Sequence, residues 1–208
     1  QPEGKQARDY LRQRGIDAAL GSTFRLGVAS GHPTALQTAL KAQGVTEAQL
    51  REAGLLSEKP GKTPYDKFRD RLIFPIMDSN GRVVAFGGRV LGDGVPKYLN
   101  SPETALFHKG HMLYNLSSAK TIAQHTGELV VAEGYMDVIA CHQAGFRGAV
   151  APLGTALTED QIALLWKMIP QDEKEPVLCF DGDEAGYRAA LRAAERHDRL
   201  RRSQNDSG

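Results

Sequence analysis

From Glu128 onward the sequence repeats one rhythm that few folds accept: an apolar run followed by a helical stretch, three times over. The runs are Leu129–Ala132, Gly148–Ala151 and Val177–Phe180. The helical stretches cover about Met136–Ala144, Thr158–Met168 and Glu184–Arg196, and Thr158 with Gln161 forms a capping pattern at the second. Alternation at this pitch predicts parallel strands joined by right-handed crossovers. Two of the three runs end in acid, with Glu133 after the first and Asp181-Gly182-Asp183 after the third. In an open α/β sheet, side chains at the carboxyl ends of neighbouring strands converge on one crevice. Carboxylates crowded there raise one another's pKa unless a cation neutralises them. Hard oxygen donors in that number suit Mg²⁺, which takes one or two carboxylates plus substrate phosphates. The pattern reads as a metal-dependent phosphoryl-transfer site. Gly134 and Gly182 are expected to allow close backbone approach or positive φ there. Asp137, four residues after Glu133, returns toward the site if that stretch is helical.

The first half has a different texture. Helices are expected at Lys5–Arg14, stopping at Gly15, and at Thr34–Gln43, stopping at Gly44. Thr46 with Gln49 predicts a capping box opening a third. Leu72–Ile76 and Arg82–Phe86 flank Ser79-Asn80-Gly81, a strong hairpin signal. The boundary between the halves falls near Lys120.

A chain of 208 residues holds one large or two small domains. Its net charge of +1 conceals a basic stretch from Lys59 to Lys120. No apolar run reaches the length of a membrane span, and no secretory signal opens the chain. Cys141 and Cys179, each inside an apolar element, are expected as reduced core residues of a cytoplasmic protein. The start at Gln1 and the polar end suggest a piece of something longer.

The basic set is Arg14, Lys67, Arg69, Arg71, Arg89, Lys97 and Lys109. For Lys67, Arg69 and Arg71 a solvated face competes with a binding role. Arg89 follows Gly87-Gly88, and Lys97 lies in Pro96-Lys97-Tyr98-Leu99-Asn100 among turn formers, so both are expected as exposed cations suited to phosphate. Tyr98 can stack on a base, and Asn100 can hydrogen-bond a sugar or base edge. His108, His111, His142 and His32 have no companions at metal-ligand spacing. Trp166 and Met168 are expected to pack on the sheet. Arg188 to Arg202 reads as an exposed helix and frayed tail.

VVAEGYMDVIA followed by LCFDGDEAG resembles the Toprim domain, with its glutamate after the first strand and Asp-x-Asp after the third. RDRLIFPIMDSNGRVVAFGGRVL, PKYLNSPETALFHKGHMLYNL and the opening ARDYLRQRGID resemble the RNA-polymerase core of bacterial DnaG-type primases. The resemblance runs to about Ala194. It implies an α/β fold: a Toprim-like, mostly parallel sheet with flanking helices (119–200), after an N-terminal mixed α+β subdomain (1–118) with a basic surface. Residues 201–208 form a polar tail, and the two parts meet at a cleft. The implied activity is metal-dependent, template-directed synthesis of short RNA primers on single-stranded DNA. Asp181 and Asp183 would hold Mg²⁺ or Mn²⁺, and Glu133 would share the metal or act as general acid/base on the attacking 3′-hydroxyl, with Asp137 nearby. Arg14, Arg89, Lys97, Tyr98, Asn100 and Lys109 match the family's basic ridge. Implied partners are ribonucleoside triphosphates, the RNA–DNA heteroduplex and a replicative helicase reached through a domain absent here, as are the zinc-binding domain and a further acidic motif. The alternatives are a truncated piece that only binds nucleic acid, or a Toprim-type nuclease or hydrolase.

Overall fold

The computed structural model describes residues 2–154, 156–169 and 175–205; Asp206–Gly208 of the expected tail lie outside the described residues. The chain divides into two compact units, one of residues 1–76 and 83–107 and the other of residues 77–82 and 108–208.

The first unit opens with helices α1 (Pro2–Gln13) and α2 (Ala18–Thr23). Strand β1 (Gly27–Ala29) follows, then helices α3 (Ala35–Lys41) and α4 (Glu47–Glu52). The short pair β2 (Leu56–Ser57) and β3 (Tyr65–Asp66) is antiparallel. Strands β4 (Arg71–Met77), β5 (Val83–Val90) and β6 (Tyr98–Asn100) complete a four-stranded sheet in the order β1-β4-β5-β6. The capping box of Thr46 and Gln49 is present at α4. Helix α3 is capped from afar: the buried Asp66 carboxylate accepts the backbone N–H groups of Leu36 (2.7 Å) and Gln37 (3.1 Å). Between β4 and β5 the Asp78 carboxylate accepts from Asn80 and Arg82 N–H, and Gly81 takes φ +77°, closing the predicted hairpin. Those N–H donors, Arg82 first, hold the Asp78 carboxyl below its ordinary value.

Two elements depart from the sequence reading. Gly27–Ala29, between two expected helices and unassigned from the sequence, is a strand because β4 supplies its ladder, pairing Gly27 with Ile73. Tyr98–Asn100, read among turn formers, is the edge strand β6, with Gly87 opposite Asn100 and Arg89 opposite Tyr98.

The second unit contains helix α5 (Leu116–Thr126) and a parallel sheet of β7 (Val130–Ala132), β8 (Ala149–Val150) and β9 (Val177–Cys179) in the order β8-β7-β9. Helices α6 (Tyr135–Gln143), α7 (Glu159–Trp166) and α8 (Glu184–Asn205) follow the three strands in turn. The predicted alternation is therefore observed, with the Thr158–Gln161 capping box at α7. Trp166 and Met168 join Leu113, Val131, Val150 and Leu165 in the buried core. Burying side chains of this size contributes about 1.5–3 kcal/mol each. Helix α8 runs past Arg196, where the sequence reading stopped it, because neither Gly nor Pro interrupts residues 187–205. Nor is it wholly exposed: Gly186 and Ala193 are buried.

Candidate functional site

Parallel pairing of β7 and β9 sets Ala132 opposite Cys179, so both strands deliver the chain to the same edge of the sheet. Glu133 follows there at once and Asp181 two residues beyond Cys179. The half-buried Glu133 carboxylate accepts the Asp181 backbone N–H at 3.3 Å. Burial pushes the Glu133 carboxyl above its ordinary value, and the negative charges of Asp181, Asp137 and Asp183 add to that, against the Asp181 N–H. Asp137, in the first turn of α6, does come back toward the strand end, its Oδ2 lying 3.5 Å from where a Cβ on Gly134 would stand. Tyr135, buried edge-on against Tyr114 with ring centroids 4.8 Å apart, anchors that turn. Asp183 accepts the Gly186 N–H at 2.8 Å and so caps α8.

The glycine that the site requires is Gly186. A Cβ there would lie 2.1 Å from the Asp181 carbonyl oxygen. Gly182 would meet nothing within 4 Å, and Gly134 is extended at φ −156°, so neither carries the role expected from the sequence. Beside Glu133 and Asp183 opens a cavity of about 340 Å³ with an apolar floor at Leu157 and Phe180 and with Arg192 and Arg196 on its α8 wall. Arg196 is tied to the Leu157 carbonyl. Arg192 was not expected; its signal was the small-residue stripe Gly186, Ala189, Ala193 on one face of α8, which lets the helix lie close to the sheet.

In the first unit, Arg89 is not the exposed cation expected. It is half-buried, its guanidinium lies 4.1 Å from the centroid of the Tyr10 ring, and its Nη1 donates to the Val90 carbonyl at 3.0 Å. The exposed Arg14 lies against the same ring at 5.7 Å. Arg89, Tyr98 and Asn100 share one face of the β5–β6 pair by register. Lys97 is exposed as expected. Arg69 is exposed and covers the Tyr65 ring at 4.7 Å, while Lys67 is half-buried. Arg71 is buried, with Nη1 donating to the carbonyls of Gly88 (3.3 Å) and Lys97 (3.4 Å), so its job is to hold β5 and the turn before β6. Burial, then the charge of Arg69, lowers its pKa. Lys109 belongs to the second unit, in a short 3₁₀ turn (Lys109–His111) whose carbonyl at Lys109 accepts from Gln161 at 2.9 Å.

The family model for the DNA primase catalytic core, N-terminal domain, matches residues 1–120, and the Toprim domain model matches residues 127–206. The chain belongs to the DNA primase catalytic-core family. It is 49% identical to the DNA primase of Pseudomonas putida over 196 residues, 93% of this chain but 29% of that protein. Among solved structures it is similar to the RNA polymerase domain of Mycobacterium tuberculosis primase DnaG (39% identity, TM-score 0.86, 93% of this chain and 64% of that one). It is similar also to the DnaG primase catalytic domain bound to single-stranded DNA (44% identity, TM-score 0.78, 93% and 59%). The Toprim domain model itself matches as far as residue 206.

The primase acids have the donor chemistry for a hard divalent ion, and their mutual charge is what such an ion would relieve. Among the described residues no three His, Cys, Asp or Glu side chains stand close enough to share one ion. Glu133 and Asp183 each spend an oxygen on a backbone N–H instead. The two cysteines also differ from expectation: Cys179 is exposed on the outer strand β9, and Cys141 is half-buried. No helix among the described residues is long and apolar enough to cross a membrane.

Proposed function

We propose that this chain is the polymerising portion of a DNA primase, which makes short RNA primers on single-stranded DNA from ribonucleoside triphosphates. The observation that carries the reading is the gathering of Glu133, Asp137, Asp181 and Asp183 at the ends of β7 and β9 in a chain of the primase catalytic-core family. Asp181 and Asp183 would hold Mg²⁺ or Mn²⁺, with Glu133 beside them. Such an ion, when bound, supplies positive charge to the phosphates of the incoming nucleotide. The raised pKa of Glu133 makes it a stronger base than an ordinary carboxylate, suited to take the proton of a primer 3′-hydroxyl. Burial is the main cause of that rise, and the charges of Asp181, Asp137 and Asp183 add to it. Asp183, through its cap on α8, orients the helix that follows.

Arg14, Arg89, Lys97, Lys67, Arg69 and Lys109 would neutralise template or heteroduplex phosphates, largely without regard to sequence. Tyr98 and Asn100 stand on the Arg89 face, where a base can stack. Relatives solved with single-stranded DNA and with a duplex bearing a six-nucleotide overhang support a nucleic-acid substrate. We assign the basic role to residues 1–118 and the chemistry to 119–200, acting in the cytoplasm, with a replicative helicase engaged through a domain outside this chain.

The test is Glu133→Gln in the full-length primase, assayed for ribonucleotide incorporation and for template binding on the same preparation. Incorporation should fall at least about 100-fold, the low end for loss of a general base, with binding within about twofold. Normal incorporation removes Glu133 from catalysis, and parallel loss of both makes its role structural.

A further inference from the structure

The cavity beside Glu133 and Asp183 is walled by one face of α8, where Ala185, Gly186, Ala189, Arg192, Ala193 and Arg196 recur at helical spacing. Up to Ala189 that face carries nothing larger than a methyl group, so the wall is recessed and Arg192 is its first long side chain. Arg192 lies nine residues beyond Asp183, about 13–14 Å along the helix. Helical Cα–Cβ bonds tilt toward the N-terminus, which here is the end that carries the acids. Arg192 and Arg196 are the cations among the described lining residues, and they are not equally available. Arg196 donates to the Leu157 carbonyl, whereas Arg192 is exposed and makes no hydrogen bond or ion pair with any described residue. One turn earlier, Arg188 is ion-paired with Glu184 and stands outside the cavity. The cations assigned above to template phosphates do not line it either. An unpaired guanidinium and two carboxylates therefore share one open space without touching. The group that suits such a space is elongated and anionic, with hard oxygens for a cation at one end and for a guanidinium at the other. A polyphosphate chain has that character.

We propose that Arg192 holds the β- and γ-phosphates of the incoming ribonucleoside triphosphate, and the pyrophosphate released from it; this rests on the polymerising function proposed above. The planar guanidinium presents two parallel N–H donors to phosphate oxygens, a fit that an ammonium group does not reproduce. In the transfer, the primer 3′-hydroxyl oxygen attacks the α-phosphorus and its proton passes to the Glu133 carboxylate. The bond from the α-phosphorus to the bridging oxygen breaks, and its electron pair leaves on pyrophosphate. Paired with the non-bridging oxygens of that group, Arg192 keeps it in line with the attack and offsets the charge it gains. The same oxygens are present before and after the transfer, so the contact acts on triphosphate binding and on product binding alike.

The experiment compares Arg192→Gln, Arg192→Lys and Arg188→Gln in the full-length primase. Three quantities are read for each: KM for ribonucleoside triphosphate, affinity for inorganic pyrophosphate with Mg²⁺ by calorimetry, and affinity for single-stranded DNA. Arg192 is exposed and unpaired among the described residues, so Arg192→Gln should fold and melt as the wild type does. It should raise KM and weaken pyrophosphate binding by a common factor of about 10- to 100-fold, the value of a lost charge-assisted pair, with DNA affinity within about twofold. Arg192→Lys keeps the charge and loses the fork, and should fall between the glutamine variant and wild type. Arg188→Gln removes the same charge from the same helix outside the cavity and should leave all three quantities unchanged. Unchanged KM and pyrophosphate affinity in Arg192→Gln overturn the proposal. An equal loss in Arg188→Gln does so too, as an effect of the general field, and a parallel fall in DNA affinity makes Arg192 a template contact instead. The pyrophosphate titration needs no polymerisation, so a wild type that incorporates nothing sinks the polymerising function while Arg192 is still judged by its own readout.

Discussion

Gly186→Ala sets two effects of known sign against each other. Gly186 is the third residue of α8, and on helix propensity alone alanine there stabilises by about 1 kcal/mol. The new Cβ, however, would stand 2.1 Å from the Asp181 carbonyl oxygen, 2.9 Å from its carbon and 3.0 Å from its nitrogen. All three are backbone atoms, so no rotamer change relieves the overlap, and either α8 or the Asp181 peptide has to move. Overpacking of this kind costs about 1–3 kcal/mol, occasionally more. Moving α8 also weakens the Asp183 cap on the Gly186 N–H, worth about 1 kcal/mol. The sum is a net loss of about 1–3 kcal/mol. With a urea slope near 2 kcal/mol/M, the unfolding midpoint drops by about 0.5–1.5 M. Trp166, the single tryptophan, is buried in the core of the second unit, so its fluorescence follows the unit that contains the substitution. Gly182→Ala is the control: its Cβ meets nothing within 4 Å, and the change should stay within about 0.5 kcal/mol. A Gly186→Ala midpoint at or above wild type would refute the close-approach argument, as would a Gly182→Ala loss of equal size.

The raised pKa of Glu133 carries a sign. A carboxyl whose folded pKa lies above its unfolded value contributes stability below the unfolded pKa and loses it as pH rises through the folded one. Glu133→Gln should therefore raise Tm near pH 7 and lose that advantage below the ordinary glutamate value of 4.5, a crossing that thermal melts across pH would reveal or deny. Lys97→Ala should weaken single-stranded DNA binding for every sequence and lower the slope of log affinity against log salt by about one, whereas loss on one sequence alone would make Lys97 a base reader. Tyr10→Leu keeps every charge and removes the ring under Arg89, so affinity should fall about 2- to 5-fold with the salt slope unchanged, while Arg89→Ala should change the slope; equal slopes for both would place Arg89 off the phosphates. Arg71→Met should destabilise the first unit by about 1–3 kcal/mol in urea, since the two hydrogen bonds to the Gly88 and Lys97 carbonyls are lost.

What the sequence disclosed and what it withheld divide along the range of the interactions involved. The three strand–helix pairs and both capping boxes were legible because period and cap chemistry act within a few residues. The acids at the ends of β7 and β9 were legible because parallel pairing sends both strands toward one edge. Strand β6 was not, since its ladder belongs to β5 and three residues set between Pro96 and Pro102 are too few to show an alternation. Nor could composition tell Arg71, buried as a donor to two carbonyls, from Lys97, exposed to solvent. The Tyr10 ring beneath Arg89 and the Asp66 cap on α3 are contacts between residues far apart in the chain, which no local pattern announces. Asp183 shows a subtler limit. An acid just ahead of a helix can cap it as well as hold an ion, and the structure shows the cap. Both call on one carboxylate, because a side chain that donates its oxygen to an ion has to turn from the Gly186 N–H or share itself between them. An ion at Asp183 is then coupled to the first turn of α8. Since Gly186 is packed against Asp181 in that same turn, it is coupled also to the position of the neighbouring acid.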